Sequence, residues 1–238
     1  RNFLARRLMF AALSMIVASM AVFGVVMQKV LLGWMQGQEL RQALITIGLS
    51  IIVADLMLAH WTGLTYQFSP PDYLLGFTRF NLFGGFKGYS TYRLFLLGVA
   101  IVIGILLWLL LNRTRFGMMV RAGVDDKEML GAQGINVPVV FILVFALGAG
   151  LAGFAGVIGG TALSIAPGED LRYLLSSLVV VIVGGMGSVG GAAIGALLIG
   201  LAEQYGLAYT PDYGVVYTFV IMVAVLAVRP HGILGRKE

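Results

Sequence analysis

Seven charged residues, Arg113, Arg115, Arg121, Asp125, Asp126, Lys127 and Glu128, crowd the stretch Asn112–Pro138 between two long apolar runs. Neither a nucleophile–base pair nor a metal-ligand set accompanies them, so the chemistry open to this stretch is ion pairing and docking. Elsewhere, of sixteen basic and eleven acidic residues, only Asp55 falls clearly within an apolar run. An ionisable group in hydrocarbon is costly and by default marks an ion or substrate path. The alternative is a hydrated position near the membrane interface, five residues before His60. Thr46, Ser50, Ser176 and Ser177 carry hydroxyls that bind either a polar solute or, more commonly, the backbone of their own helix.

Gly185-Met186-Gly187-Ser188-Val189-Gly190 matches the spacing of a dinucleotide-binding fingerprint. That fingerprint needs a βαβ unit and an acid about twenty residues on. Glu203 follows Gly190 too soon, and both flanks are apolar. The favoured reading is a tight break between two half-helices. It serves either close helix packing or a hinge or pore-lining turn, with Gly184, Gly185, Gly187 and Gly190 as the candidate positions. No Gly-x4-Gly-Lys-Ser/Thr loop, His-Glu-x-x-His or Gly-x-Ser-x-Gly motif occurs. The chain therefore offers no phosphate cradle of that kind and no sign of an intramembrane enzyme, and any ATP drive has to come from a partner.

The elements that must position these residues are membrane helices. Hydrophobic residues make up 59% and charged residues 11% of the 238, leaving too little polar surface for a soluble globule. Long apolar runs without barrel-like alternation predict an all-α, polytopic transmembrane bundle. The 33 glycines read as packing residues, and the absence of cysteine removes disulfides and thiolate metal sites. The net charge of +5 sits in short loops, where it sets orientation rather than binding nucleic acid.

Apolar runs at about 8–27, 43–59, 94–111 and 139–160 are each near the ~20 residues needed to span a bilayer. The run 173–202 is split by the glycines, and a last run covers 214–228. The positive-inside rule favours two crossings for the split run, giving about seven membrane segments. With the Arg121 loop inside, the loop 61–92, the Glu169-Asp170 loop and the acidic stretch 203–212 fall outside. The tail with Arg229 falls inside. The halves of the split run are expected to be only about twelve to sixteen residues long, short enough to need shelter from the rest of the bundle. The N-terminal Arg1, Arg6 and Arg7 run against the rule, which an upstream segment would resolve.

Within Asn112–Pro138, Val124, Met129, Leu130 and Ile135 offer apolar contacts among the charges, and Gly131 and Gly134 can end or bend a helix. The stretch is either a solvated connection that fixes topology or a short helix held across the cytoplasmic face to dock a soluble partner.

Arg121-Ala122, then Asp125-Asp126-Lys127-Glu128, then Gly131-Ala132-Gln133-Gly134-Ile135-Asn136-Val137 resembles the coupling loop of the ABC-transporter permeases for branched-chain amino acids. Four further motifs of that family stand in order: Leu44–Ser50, Gly150–Val157, Gly184–Gly191 and the closing Arg229-Pro230-His231-Gly232-Ile233-Leu234-Gly235. Together they cover nearly the whole chain, and the likeness is greater to the first of the family's two permease subunits than to the second. The resemblance implies a single permease domain over residues 1–238, with its coupling loop at 112–138, in a bacterial inner membrane. It also implies partners: a homologous second permease, two cytoplasmic ATPase subunits that hold ATP and Mg, an extracytoplasmic substrate-binding protein, and the surrounding lipid. The chain itself would carry no cofactor. Arg121, Ala122, Asp125, Asp126, Glu128, Met129, Gly134 and Ile135 would form the ATPase-coupling element, and the glycine break would lie close to the pathway. Family members usually begin with about two more segments carrying an Asn-Phe-x-His-Gly-like motif; that motif is absent here, and the sequence leaves open whether such segments precede it. The physical reading keeps as its rival an ion-coupled secondary transporter that uses Asp55 and a discontinuous helix at the glycines.

Overall fold

In a computed structural model the described residues are 2–35, 38–68, 74–82, 85–185, 187–210 and 214–235. The elements run α1 (Asn2–Val26), α2 (Glu39–Trp61), β1 (Phe77–Leu82), β2 (Gly85–Ser90), α3 (Thr91–Arg113), α4 (Arg115–Asp125), α5 (Lys127–Ala132), α6 (Val137–Ala162), α7 (Glu169–Gly184), α8 (Val189–Tyr209) and α9 (Gly214–Val228). Each of the six apolar runs is helical, the split run being divided between α7 and α8. Among the described residues, five helical segments are long and apolar enough to cross a membrane: Leu13–Met35, Leu40–Trp61, Thr91–Arg113, Val137–Ala162 and Val189–Tyr209. At 16 and 15 residues, α7 and α9 are shorter.

The chain divides into two compact units, Arg1–Ala100 with Leu110–Pro167, and Ile101–Leu109 with Gly168–Glu238. In the first, α1 and α6 pack through small residues that let their backbones approach. A Cβ on Gly24 would lie 2.6 Å from the Ala149 methyl, and one on Gly153 would lie 2.6 Å from the Met20 side chain. Helical structure continues from α1 through a π segment, Met27–Leu32, and a 3-10 turn, Gly33–Met35. The apolar run was expected to end near residue 27. Instead Met27, Gln28 and Leu32 are buried, and their packing carries the helix past Lys29. The stretch 61–92, read as a loop, contains an antiparallel hairpin in which Phe77 pairs with Ser90 and Leu82 with Gly85. A backbone bridge between Tyr66 and Ile165 ties this stretch to the loop after α6, placing two segments expected outside at one end of the unit.

In the second unit α7 and α8 form an antiparallel pair, with α9 packed on them. Val179, Val183 and Ile199 form the buried core, lined by Val180, Ile221, Met222, Val225 and Ile233. Here the sequence reading needs correction. The second half of the split run has 21 residues, not the expected twelve to sixteen, and 203–209 is helix rather than loop. Glu203 continues the helix because its carboxylate accepts from the Arg172 guanidinium at 3.0 Å, so its charge is matched across the pair.

Candidate functional site

The stretch Asn112–Pro138 folds as an elbow of two helices rather than one. Thr114 starts α4 by accepting from the Gly117 amide at 3.2 Å, and a Cβ on Gly117 would lie 2.1 Å from the Leu111 carbonyl oxygen. Only glycine allows α4 to leave α3 so sharply. Arg121 donates to the Asn112 side-chain oxygen at 2.8 Å, tying α4 back to the end of α3. The break falls at Asp126, whose backbone is extended and whose amide still closes α4 onto the Ala122 carbonyl at 2.9 Å. One oxygen of its carboxylate accepts from the Glu128 and Met129 amides at 2.9 and 3.0 Å. That N-cap fills two of the amides a helix start leaves open, which is why a new helix begins one residue later.

Leu130 is 3% exposed, lies 3.1 Å from where a Gly123 Cβ would stand, and so closes α5 onto α4. The Lys127 ammonium sits 5.1 Å from the centre of the Phe141 ring on α6. Gly134 takes a left-handed conformation, φ +81°, after α5, and Asn136 caps α6 by accepting from the Val139 amide at 3.4 Å. With one side so fastened, Met118, Val124 (70% exposed) and Met129 (63% exposed) are bare, as are Ala122 and Glu128. Arg121 and Ile135 are half-buried, and of Asp125 only its place as the last residue of α4 is described. The fold thus brings the eight coupling candidates into one short segment. It also gives Asp126 a task of its own, holding the elbow bent. Sequence reasoning passed over Thr114, Gly117 and Asn112, although Thr-x-x-Gly after an apolar run is a legible capping signal.

The glycine turn is of another kind. Gly185 and Gly187 have φ of +100° and +81°. A Cβ on Gly184 would lie 2.4 Å from the Gly191 carbonyl oxygen, and one on Gly195 would lie 2.7 Å from that of Val180. Ser188 caps α8 by accepting from the Gly191 amide at 3.0 Å. The closing motif then folds onto this turn. The Ile233 amide donates to the Val183 carbonyl at 2.9 Å, and the Leu234 amide to that of Gly184 at 3.1 Å, filling two acceptors left open at the end of α7. A Cβ on Gly185 would lie 2.3 Å from the Gly235 nitrogen, and one on Gly232, φ +79°, would lie 2.5 Å from the Gly185 Cα. The two motifs, read separately in the sequence, are one clamp. It places the turn and the tail at the same end of their unit, as two crossings require. Met186 lies outside the described residues.

Three of the other pathway candidates spend their hydroxyls on their own helices. Thr46 donates to the Gln42 and Ala43 carbonyls at 3.0 and 2.9 Å, Ser50 to that of Ile47 at 2.8 Å and Ser177 to that of Leu174 at 2.8 Å, the backbone role that such hydroxyls commonly take. Asp55 is exposed on α2, a helix of which no membrane-length residue is buried within the chain, roughly half a turn around from Thr46 at about 100° per residue. Ser176 is half-buried on α7, and Gly190 is half-buried in the first turn of α8. Among the described residues there is no group of three His, Asp or Glu able to hold a metal ion.

Several apolar helices of membrane-spanning length, two of them joined through a capped elbow with bare apolar side chains, define a multi-pass membrane protein. The profile of the family described as branched-chain amino acid transport system / permease component matches residues 3–226. The chain belongs to that family. It is 29% identical over 237 residues to the high-affinity branched-chain amino acid transport system permease protein BraD of Pseudomonas aeruginosa, covering 97% of this chain and 76% of that protein. It is 36% identical over 134 residues to the permease protein LivH of Escherichia coli K12, covering 56% and 44%. To the probable branched-chain amino acid transport permease protein LivH of Methanocaldococcus jannaschii it is 34% identical over 164 residues, covering 66% and 51%. The chain thus spans about three quarters of the first relative and about half of the other two. No solved structure matches it significantly. Family membership sets aside the ion-coupled rival built on Asp55.

Proposed function

We propose that this chain forms half of the translocation pathway of an ATP-driven importer for branched-chain or related amino acids. Its partners are a homologous permease, two cytoplasmic ATPase subunits that bind ATP and Mg, and a soluble substrate-binding protein on the outer side. The single observation that supports this most is the elbow α4–α5, fastened to α3 and α6 on one side and bare at Met118, Val124 and Met129 on the other. An apolar, capped and braced short helix pair is what a groove on a soluble partner can grip and move as a body. In this reading the ATPases close on each other, the elbow follows, and the pathway alternates between outward- and inward-facing states. Glu128, exposed at the start of α5, meets the ATPase surface. Asp126 keeps the angle between the two helices. The clamp of Gly184–Gly191 with Arg229–Gly235 holds α7 and α8 together near the pathway.

The test is reconstitution of the assembled complex in proteoliposomes with Glu128→Lys. ATP hydrolysis is expected to persist while uptake of radiolabelled leucine falls at least about tenfold, the scale of one lost charged contact. Normal uptake by the properly inserted variant sinks the assignment of this elbow. Uptake that follows an ion gradient and survives ATP depletion sinks the importer itself.

A further inference from the structure

A cavity of about 260 Å³ opens at the end of the first unit where the Tyr66–Ile165 bridge lies, lined by Gln67, Phe68, Ser90, Tyr92, Arg93, Thr161 and Ala162. Its floor is fixed. The Tyr92 hydroxyl donates to the Ile158 carbonyl at 3.1 Å and bonds to the Thr161 hydroxyl, pinning the start of α3 to the end of α6. Its chemistry is one-sided, because no acidic side chain lines it and Arg93 has no carboxylate partner among the described residues. Arg93 is also the third residue of α3, where the helix dipole is positive and a cation is the disfavoured charge. Ser90, which precedes that helix, caps none of its amides with its hydroxyl, so the hydroxyl is left for another acceptor or donor. Phe68 and Ala162 add an apolar patch beside these polar groups.

An arginine placed against a helix's positive end raises the local potential, and a bound anion relieves both terms at once. The volume lies just below the usual ~300–1,000 Å³ of drug-sized pockets, which suits a solute of few atoms. We infer that this cavity is an outer-end binding site for a small carboxylate-bearing amphiphile. The carboxylate pairs with Arg93, Ser90 and Gln67 bond around it, and the apolar part lies against Phe68 and Ala162. The inference rests on the importer reading for its direction: the site is where an amino acid with an apolar side chain is first held on entering from outside.

The probes are L-leucine and L-leucinamide, which differ in having or lacking the carboxylate. The assembled complex in nanodiscs, without binding protein or nucleotide, is titrated with each and read by ligand-observed saturation-transfer NMR. Leucine is expected to bind and leucinamide to bind at least about tenfold more weakly, the scale of a lost charge-assisted hydrogen bond. Arg93→Gln is expected to weaken leucine by a similar factor, with Arg93→Lys recovering part of the loss because it keeps the charge but not the fork. Absent leucine binding, equal binding of the two probes, or unchanged leucine affinity in Arg93→Gln overturns the inference. If Arg93→Gln spares leucine binding but raises the binding-protein concentration needed for half-maximal uptake, the arginine meets a protein carboxylate, and the inference again falls. ATP-driven uptake by the unsubstituted complex is measured on the same preparation. Its absence removes the importer reading, whereas uptake without discrimination between the probes removes only the cavity assignment.

Discussion

The elbow at α4–α5 and the clamp at Gly184–Gly191 both break a helical path, and they do so by opposite means. Past its glycine entry at Gly117, the elbow is bent by side chains. Thr114, Asp126 and Asn136 each supply an oxygen to open amides, and buried Leu130 anchors the second helix on the first. The clamp is bent by the absence of side chains, with amides donating to carbonyls and Cα atoms meeting where any Cβ would collide. A side-chain cap can be exchanged for another at modest cost. A backbone-to-backbone contact has no substitute residue, so the clamp, like Gly117 at the entry to the elbow, tolerates far less change than the caps do.

Gly185→Ala breaks this comparison most sharply. It puts a Cβ 2.3 Å from the Gly235 nitrogen at a φ of +100°, so strain and overpacking act together. Loss of roughly 3 kcal/mol or more is expected. Size-exclusion chromatography of detergent extracts should show little monodisperse protein; a variant as monodisperse as the parent would refute the clamp. Next is Met129→Asp on the bare face of the elbow, expected to cut co-purification of the ATPase subunits at least about tenfold while leaving the thermal midpoint unchanged. A lowered midpoint with intact co-purification would mean that Met129 serves the fold and not a partner.

Gly187→Ala separates strain from crowding within one motif, because φ there is +81° but nothing lies within 4 Å of the new Cβ. About 1 kcal/mol is expected, well below the cost at Gly185. Asp126→Ala should likewise cost about 1 kcal/mol, read as faster limited proteolysis between residues 112 and 138, with Asp126→Asn restoring resistance. Smallest is Arg172→Gln, which removes the half-exposed pairs with Glu203 at 3.0 Å and Glu169 at 3.7 Å. A change below about 1 kcal/mol in thermal melts is expected for so exposed a pair.

Much of this was legible in the sequence. The apolar runs announced their helices because length and hydropathy suffice in hydrocarbon, and the dense charges of 113–128 announced a segment outside it. The break at 184–191 was visible because eight residues with five glycines cannot propagate a helix undisturbed. Its partner was not, since a backbone amide such as that of Ile233 leaves no mark in residue type. The elbow's second helix was missed because Asp126 reads as one more surface charge until its carboxylate is seen bonded to two amides. Helix α8 ran past Glu203 because a charge counts as a stop only when nothing answers it, and Arg172 lies 31 positions upstream.

The α7–α8 pair is sealed at one end by the tail and joined at the other by the Arg172–Glu203 ion pair. Separation of the helices therefore works as it does in tongs. The glycine end is the pivot, and the jaws are the outer turns, twelve residues or about 18 Å away along α7. Any widening between them is graded, near zero at the pivot and largest at the jaws, where the side-chain tie between the two helices is a half-exposed ion pair worth under about 1 kcal/mol.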